Sequence, residues 1–141
     1  MTSERFVGID VSKRRLDVQV HEDGQAWKVG NDPDGYAKLI ASLKMVGPTI
    51  IVFEATGGYE RHAAKALSEA GLAVAVVNPT RVRRFAEALG ILAKTDKIDA
   101  KVIAHYASVV RPPAKNRQTP LEEQLEACVE RRRQLLVEVT A

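Results

Sequence analysis

Four acidic residues have the types and spacing to do chemistry: Asp10, Glu54, Asp96 and Asp99. Asp10 closes the apolar stretch Phe6-Val7-Gly8-Ile9 and is followed by Val11-Ser12-Lys13. Glu54 closes Thr49-Ile50-Ile51-Val52-Phe53, the most apolar run in the chain. A buried strand that ends in an acid places a carboxylate at the sheet's edge, where a ligand or metal can meet it. Burying that carboxylate unpaired costs several kcal/mol or forces its protonation, and a bound divalent cation removes the cost. Asp96 and Asp99 are three apart, so on a helix they share one face. Four carboxylates suit two-metal phosphodiester chemistry, with metals about 3.5–4 Å apart at the attacking and leaving oxygens. Oxygen donors favour Mg2+ or Mn2+ over zinc. The same acids have plainer uses: Asp10 can order a turn, and the helix dipole favours acids in a first turn.

Basic residues stand close by in sequence. Lys13, Lys94 and Lys97 can guide a phosphate backbone, and Gly57-Gly58 lets one approach closely. Arg81, Arg83 and Arg84 can contact phosphates without reading sequence. The net charge of +3 divides unevenly, with an acidic excess over residues 1–60 and a basic excess after them. That split suits an enzyme holding cations at one site and polyanion nearby, and equally a solvated basic surface. His21, His62 and His105 are scattered without ligand spacing. Tyr36, Tyr59 and Tyr106 are placed as core residues, so no aromatic surface suggests base stacking.

The elements that must position these residues follow from periodicity. Leu16, Val18 and Val20 alternate with Asp17, Gln19 and His21, the pattern of a half-buried strand. Glu22-Asp23-Gly24 reads as a hairpin turn before a third strand over 25–29, completing an antiparallel meander. Asp32 can cap a helix that has Pro33 in its first turn, with Tyr36, Leu39, Ile40 and Leu43 as its core stripe and Gly47-Pro48 at its end. The run at 49–54 is expected to be a central strand, covered on both faces. A helix over about 59–70 and a continuous buried strand over 72–77 follow. Asn78-Pro79 then starts a helix that ends at Gly90. Strand, helix, strand, helix is the pattern of parallel crossover units, so the five-stranded sheet is mixed. Thr95 is expected to cap a helix with Asp96 and Asp99 in its first turns and Ile98, Val102, Ile103 and Tyr106 as its apolar stripe.

The chain divides into a catalytic domain over 1–113 and a linker with the start of a coiled-coil helix over 114–141. Thr119-Pro120-Leu121-Glu122 forms a capping box, and Leu121, Leu125, Cys128 and Leu135 make a heptad-like seam that Arg132 interrupts. The seam suits self-association, and its uncapped end suggests a helix continuing in a longer protein. At 45% hydrophobic and 28% charged residues, the composition is that of an ordinary globular protein. No apolar run approaches the roughly 20 residues needed to span a bilayer. The N-terminus lacks the apolar core of a signal peptide. The lone Cys128 excludes an internal disulfide and suits a reducing cytoplasm.

Four stretches together resemble a known family: residues 8–13, Phe53-Glu54-Ala55-Thr56-Gly57-Gly58-Tyr59-Glu60, Val77-Asn78-Pro79 through Phe85-Ala86, and Ala93-Lys94-Thr95-Asp96-Lys97-Ile98-Asp99-Ala100. In this order they look like the N-terminal half of the DEDD insertion-sequence transposases, over about residues 5–110. That family includes the pilin-gene invertases and bridge-RNA-guided recombinases, and this half is similar to the RuvC Holliday-junction resolvase. The resemblance implies an α/β, ribonuclease-H-like domain whose acidic tetrad is Asp10, Glu54, Asp96 and Asp99. It also implies DNA as partner, with a structured guide RNA, and strand transfer completed by a serine in a second domain after a coiled coil. Ser3, Ser12, Ser42, Ser68 and Ser108 all precede the linker, and none matches that serine.

Other classes compete with this expectation. An actin- or sugar-kinase-type nucleotide-binding domain shares the sheet and the Gly-Ile-Asp strand, but needs a second Gly-rich phosphate loop and an adenosine pocket that the sequence does not display. A self-sufficient RuvC-type nuclease needs no serine. A catalytically silent module would hold metal and nucleic acid while chemistry happened elsewhere.

Overall fold

The computed structural model describes residues 3–93, 95–114, 125 and 128–134. Its first three strands, β1 (Phe6–Val11), β2 (Arg15–Val20) and β3 (Ala26–Gly30), form the expected antiparallel meander. Helix α1 (Pro33–Val46) then leads to β4 (Ile50–Glu54), α2 (Arg61–Glu69), β5 (Val74–Val77), α3 (Pro79–Ala88) and α4 (Ala100–Val110). The sheet order is β3-β2-β1-β4-β5, with β4 parallel to both β1 and β5. This is a mixed five-stranded α/β sheet of the ribonuclease-H-like kind, with β1 at its centre and β4 inside it.

Alternation of side chains divides the core between two faces. Val7, Ile9, Ile51 and Phe53 pack with Leu39 and Leu43 of α1 and Ala63 and Leu67 of α2. On the other face Phe6, Ile50, Val52 and Val77 pack with Val82 and Ala86 of α3 and Val102, Ile103 and Tyr106 of α4. Each helix therefore buries one stripe against a sheet covered on both sides. The start and stop signals of α1 act as read: Asp32 accepts from the Gly35 amide at 2.7 Å, and Gly47 closes the helix at φ 69°. Asn78 caps α3 in the same way, accepting from the Thr80 amide at 2.8 Å.

Several expectations need correction. Asp96 and Asp99 do not share a helix face, because α4 begins only at Ala100. Asp99 is its N-cap, with extended backbone and a side chain that accepts from the Val102 amide at 3.0 Å. Ile98 is buried as expected, but ahead of the helix, in the connection over 95–99. The strand expected over 72–77 is regular only at Val74–Val77, and Val76 is 39% exposed because β5 is the sheet's edge. Tyr59 is no core residue: it is half exposed in the turn that delays α2 until Arg61. The histidines show no ligand cluster among the described residues. His21 and His105 stack with ring centroids 5.1 Å apart.

Residues 128–134 are helical, and Leu125 and Cys128 are exposed. Leu121, Leu135, the capping box at 119–122 and Lys94 lie outside the described residues. Among the described residues no helix is long and apolar enough to cross a membrane.

Candidate nucleic-acid and metal site

Everything at the site is built on the carboxyl ends of β1 and β4. The parallel register pairs Gly8 with Val52 and Ile9 with Phe53, so Asp10 and Glu54 stand one step further on, side by side. Both lie on the face that carries Phe6 and Val52, the face covered by α4. Gly8 lets α4 sit directly on β1. A Cβ there would lie 2.3 Å from the Ala104 nitrogen and 2.5 Å from the Ala100 oxygen. The N-terminal end of α4, with Asp99 as its cap, is thereby brought against the acidic end of the sheet.

Electrostatics report the resulting crowding. Burial raises the pKa of Asp10 above the ordinary carboxylate value, and Asp17 and Asp99 add to the rise, while Lys97 and Arg15 oppose it. Glu54 is raised by burial and then by Asp10, against Arg83 and Lys97. Asp10 thus interacts with two of the other expected acids, Glu54 and Asp99, and the Lys97 ammonium lies near both half-buried carboxylates. Asp96 is engaged locally: its carboxylate accepts from the Ala93 amide at 2.8 Å. Among the described residues no three His, Cys, Asp or Glu side chains are already drawn together tightly enough to hold a metal.

One acid of this cluster escaped the sequence reading. Asp17 is the cross-strand partner of Asp10 on β2 and shares its face. Its Oδ1 lies 3.4 Å from Arg15 Nε without hydrogen-bond alignment, and that oxygen is buried with no hydrogen bond. The signal was present: a hairpin folded about Lys13-Arg14 sets residue 10 against residue 17.

The rim is organised by two further residues that were not among the expected site residues. Glu60 accepts from the Thr56 amide, the Thr56 hydroxyl and the Gly58 amide at 3.1, 2.8 and 3.2 Å. It thereby folds the loop in which Gly57 and Gly58 adopt φ of 76° and 117°, conformations open to glycine. Space outside both glycines is empty, as a close approach would need. Asn31 donates to the main-chain oxygens of Ser12 and Tyr59 at 2.9 and 3.0 Å and accepts from the Tyr36 hydroxyl, tying the β1–β2 turn to the glycine loop.

The basic residues separate into two kinds. Lys13, Arg81 and Arg84 are exposed. Arg83 is half-buried and engaged, donating to the Asp96 main-chain oxygen at 2.8 Å and facing Glu87 at 3.9 Å. A groove of about 450 Å³ lined by Arg5, Trp27 and Met45 opens near the start of β1, at the far end of the sheet from the acids.

Comparison with known proteins bears on this arrangement. The family model for DEDD transposases of the IS110 type, described as a transposase, matches residues 7–141. The pilin gene-inverting protein of Moraxella lacunata is 32% identical over 149 aligned residues, which take in 98% of this chain and 46% of that protein. The pilin gene-inverting protein of Moraxella bovis matches with the same identity and coverage. The chain therefore spans about half the length of the curated relatives it matches.

Proposed function

The chain belongs to the IS110-type DEDD transposase family, and from that premise we propose that it holds DNA for strand cleavage and transfer, with Asp10, Glu54, Asp96 and Asp99 as ligands for Mg2+ or Mn2+. The observation that carries this reading is the meeting of half-buried Asp10 and Glu54 with Asp99 at one open end of the sheet. The donor set fits such a cation. Every ligand is a carboxylate oxygen, and a site not yet closed suits an ion that keeps waters and takes substrate phosphate oxygens. When bound, the ions would polarise the scissile phosphodiester.

The chain's own residues do the rest. Asp10 and Glu54 present carboxylate charge to the cation, which offsets the burial that raises their pKa values. Asp99 offers the oxygen left free by its cap bond to Val102. Asp96 joins by releasing the Ala93 amide. The Gly57-Gly58 loop lies along a nucleic-acid backbone, and Lys13, Lys94, Arg81 and Arg84 draw in phosphates.

Residues 1–113 form the catalytic domain in this reading and 114–141 a linker and assembly helix, whose exposed Leu125 supports self-association. A serine outside this chain takes the covalent step: its oxygen bonds to phosphorus as the sugar oxygen leaves, so no phosphodiester energy is lost to water. A structured guide RNA is a further partner, and the relatives' name points to inversion as the rearrangement.

The test has two arms. Manganese should raise the melting temperature, and Asp10→Asn should abolish the rise; a wild-type chain indifferent to manganese would sink the metal reading. With branched or linear DNA and either metal, the chain should bind weakly and transfer no strands. Efficient metal-dependent cutting, lost in Glu54→Gln, would reveal instead a self-sufficient RuvC-type nuclease.

A further inference from the structure

The segment between α3 and α4 carries Asp96, Lys97 and Asp99, yet residues 95–99 have no helix or strand of their own to hold them. The Asp99 cap bonds hold its far end, and three further contacts matter along the rest of it. Ile98 is buried in the core, the Asp96 carboxylate closes a turn onto the Ala93 amide, and Arg83 reaches from α3 to the Asp96 main-chain oxygen at 2.8 Å. The Arg83 bond differs from the others in kind. It comes from a neighbouring helix, it is charge-assisted, and it grips the main chain while leaving the Asp96 carboxylate able to turn. Arg83 is itself steadied by Glu87, one helical turn along α3. It also lies close enough to Glu54 to favour that carboxylate's charged form. An arginine on the polar face of α3 thus bonds to the 95–99 segment and acts electrostatically on Glu54, whereas Arg81 and Arg84 face solvent.

We infer that Arg83 is a positioning residue for the carboxylate site, bracing the main chain at Asp96 so that the 95–99 segment presents its acids beside Asp10 and Glu54. This rests on the metal-site reading above. It removes Arg83 from the phosphate contacts and gives the three arginines of one helix two different tasks. Ground-state order is the mechanism: a segment held in place binds a cation without first giving up its own conformational freedom.

The experiment compares Arg83→Gln, Arg83→Lys and Arg84→Gln with wild type, in the absence of nucleic acid, so that phosphate contact plays no part. Hydrogen exchange of the Ala93 amide, which is bonded to the Asp96 carboxylate, reads in metal-free protein the order that the brace maintains. Manganese titration, followed by melting temperature, reads its consequence. Arg83→Gln should exchange at least tenfold faster at Ala93 and need about tenfold more manganese for half its effect. Arg83→Lys, which can still donate to the carbonyl, should recover most of both, and Arg84→Gln should change neither. Unchanged exchange in Arg83→Gln overturns the proposal. Faster exchange with an unmoved manganese midpoint overturns it too, since the bond is then merely structural. If wild type ignores manganese, the metal-site reading fails and the positioning role falls with it; the exchange arm then still tells whether Arg83 braces the segment.

Discussion

A carboxylate at the end of a buried strand is unfavourable unless something answers its charge. Asp10 and Glu54 both sit in that condition, with pKa values raised chiefly by burial. The folded protein therefore binds protons at these acids more tightly than the unfolded chain. Their contribution to stability is fully present at acid pH and is lost as pH rises through the raised folded values. Metal-free Asp10→Asn should accordingly melt a few degrees above wild type at neutral pH, and the gap should close on acidification toward the ordinary carboxylate range. Saturating manganese should reverse the order at neutral pH. Melting curves in chelator across pH 4–8 check this; a gap that does not change with pH would show that the Asp10 carboxylate is not strained by its surroundings.

The element that decides the site is α4, and its seat is a single missing side chain. Gly8 brings the helix main chain to β1 at a distance no Cβ permits. Gly8→Ala must lift or tilt α4, an overpacking that costs roughly 1–3 kcal/mol or more. Because Asp99 caps the same helix, the change should also weaken the manganese response beyond what lost stability explains. Denaturant unfolding gives the first quantity and metal titration of the folded variant the second. An Ala variant of native stability would mean that α4 is not held against β1 at this point. Much of the element pattern was legible beforehand: Asp32 and Asn78 cap as their sequence neighbours suggest. The start of α4 was not, because Thr95 and Asp99 are both good caps, and only the folded chain shows Asp99 extended and bonded to the Val102 amide.

Over the whole molecule, exposed basic residues stand apart from the half-buried acids. Exposed Arg81 and Arg84 on α3 and Lys13 on the β1–β2 turn carry positive charge around the rim of the carboxylate end. Binding to DNA should be electrostatic, weakening uniformly across sequences as salt rises. Neutralising Arg81, Arg84 or Lys13 to Gln should each lower the slope of log affinity against log salt by up to about 1. Arg83→Gln should leave that slope where it was. Filter binding or fluorescence anisotropy over a salt series measures it. Slopes identical to wild type in all three rim variants would move the DNA-binding face elsewhere.

Local chemistry was enough to predict the mixed sheet, the two strand-end acids and the capped helices. Apolar runs, alternation and cap residues act within a few positions of one another, so a linear text contains them. What lies between elements was decided only in three dimensions. The register about Lys13-Arg14 sets Asp17 against Asp10. The missing Cβ at Gly8 sets the depth of α4. Hydrogen bonds to Glu60 and from Asn31 lock two loops that sequence alone leaves open. Arg83 and Arg84 are neighbours of one type, and no rule of composition separates them. A turn of about 100° per residue sends one toward the Asp96 carbonyl and the other into water. Side-chain type sets what a residue can do, while packing geometry selects which residues meet.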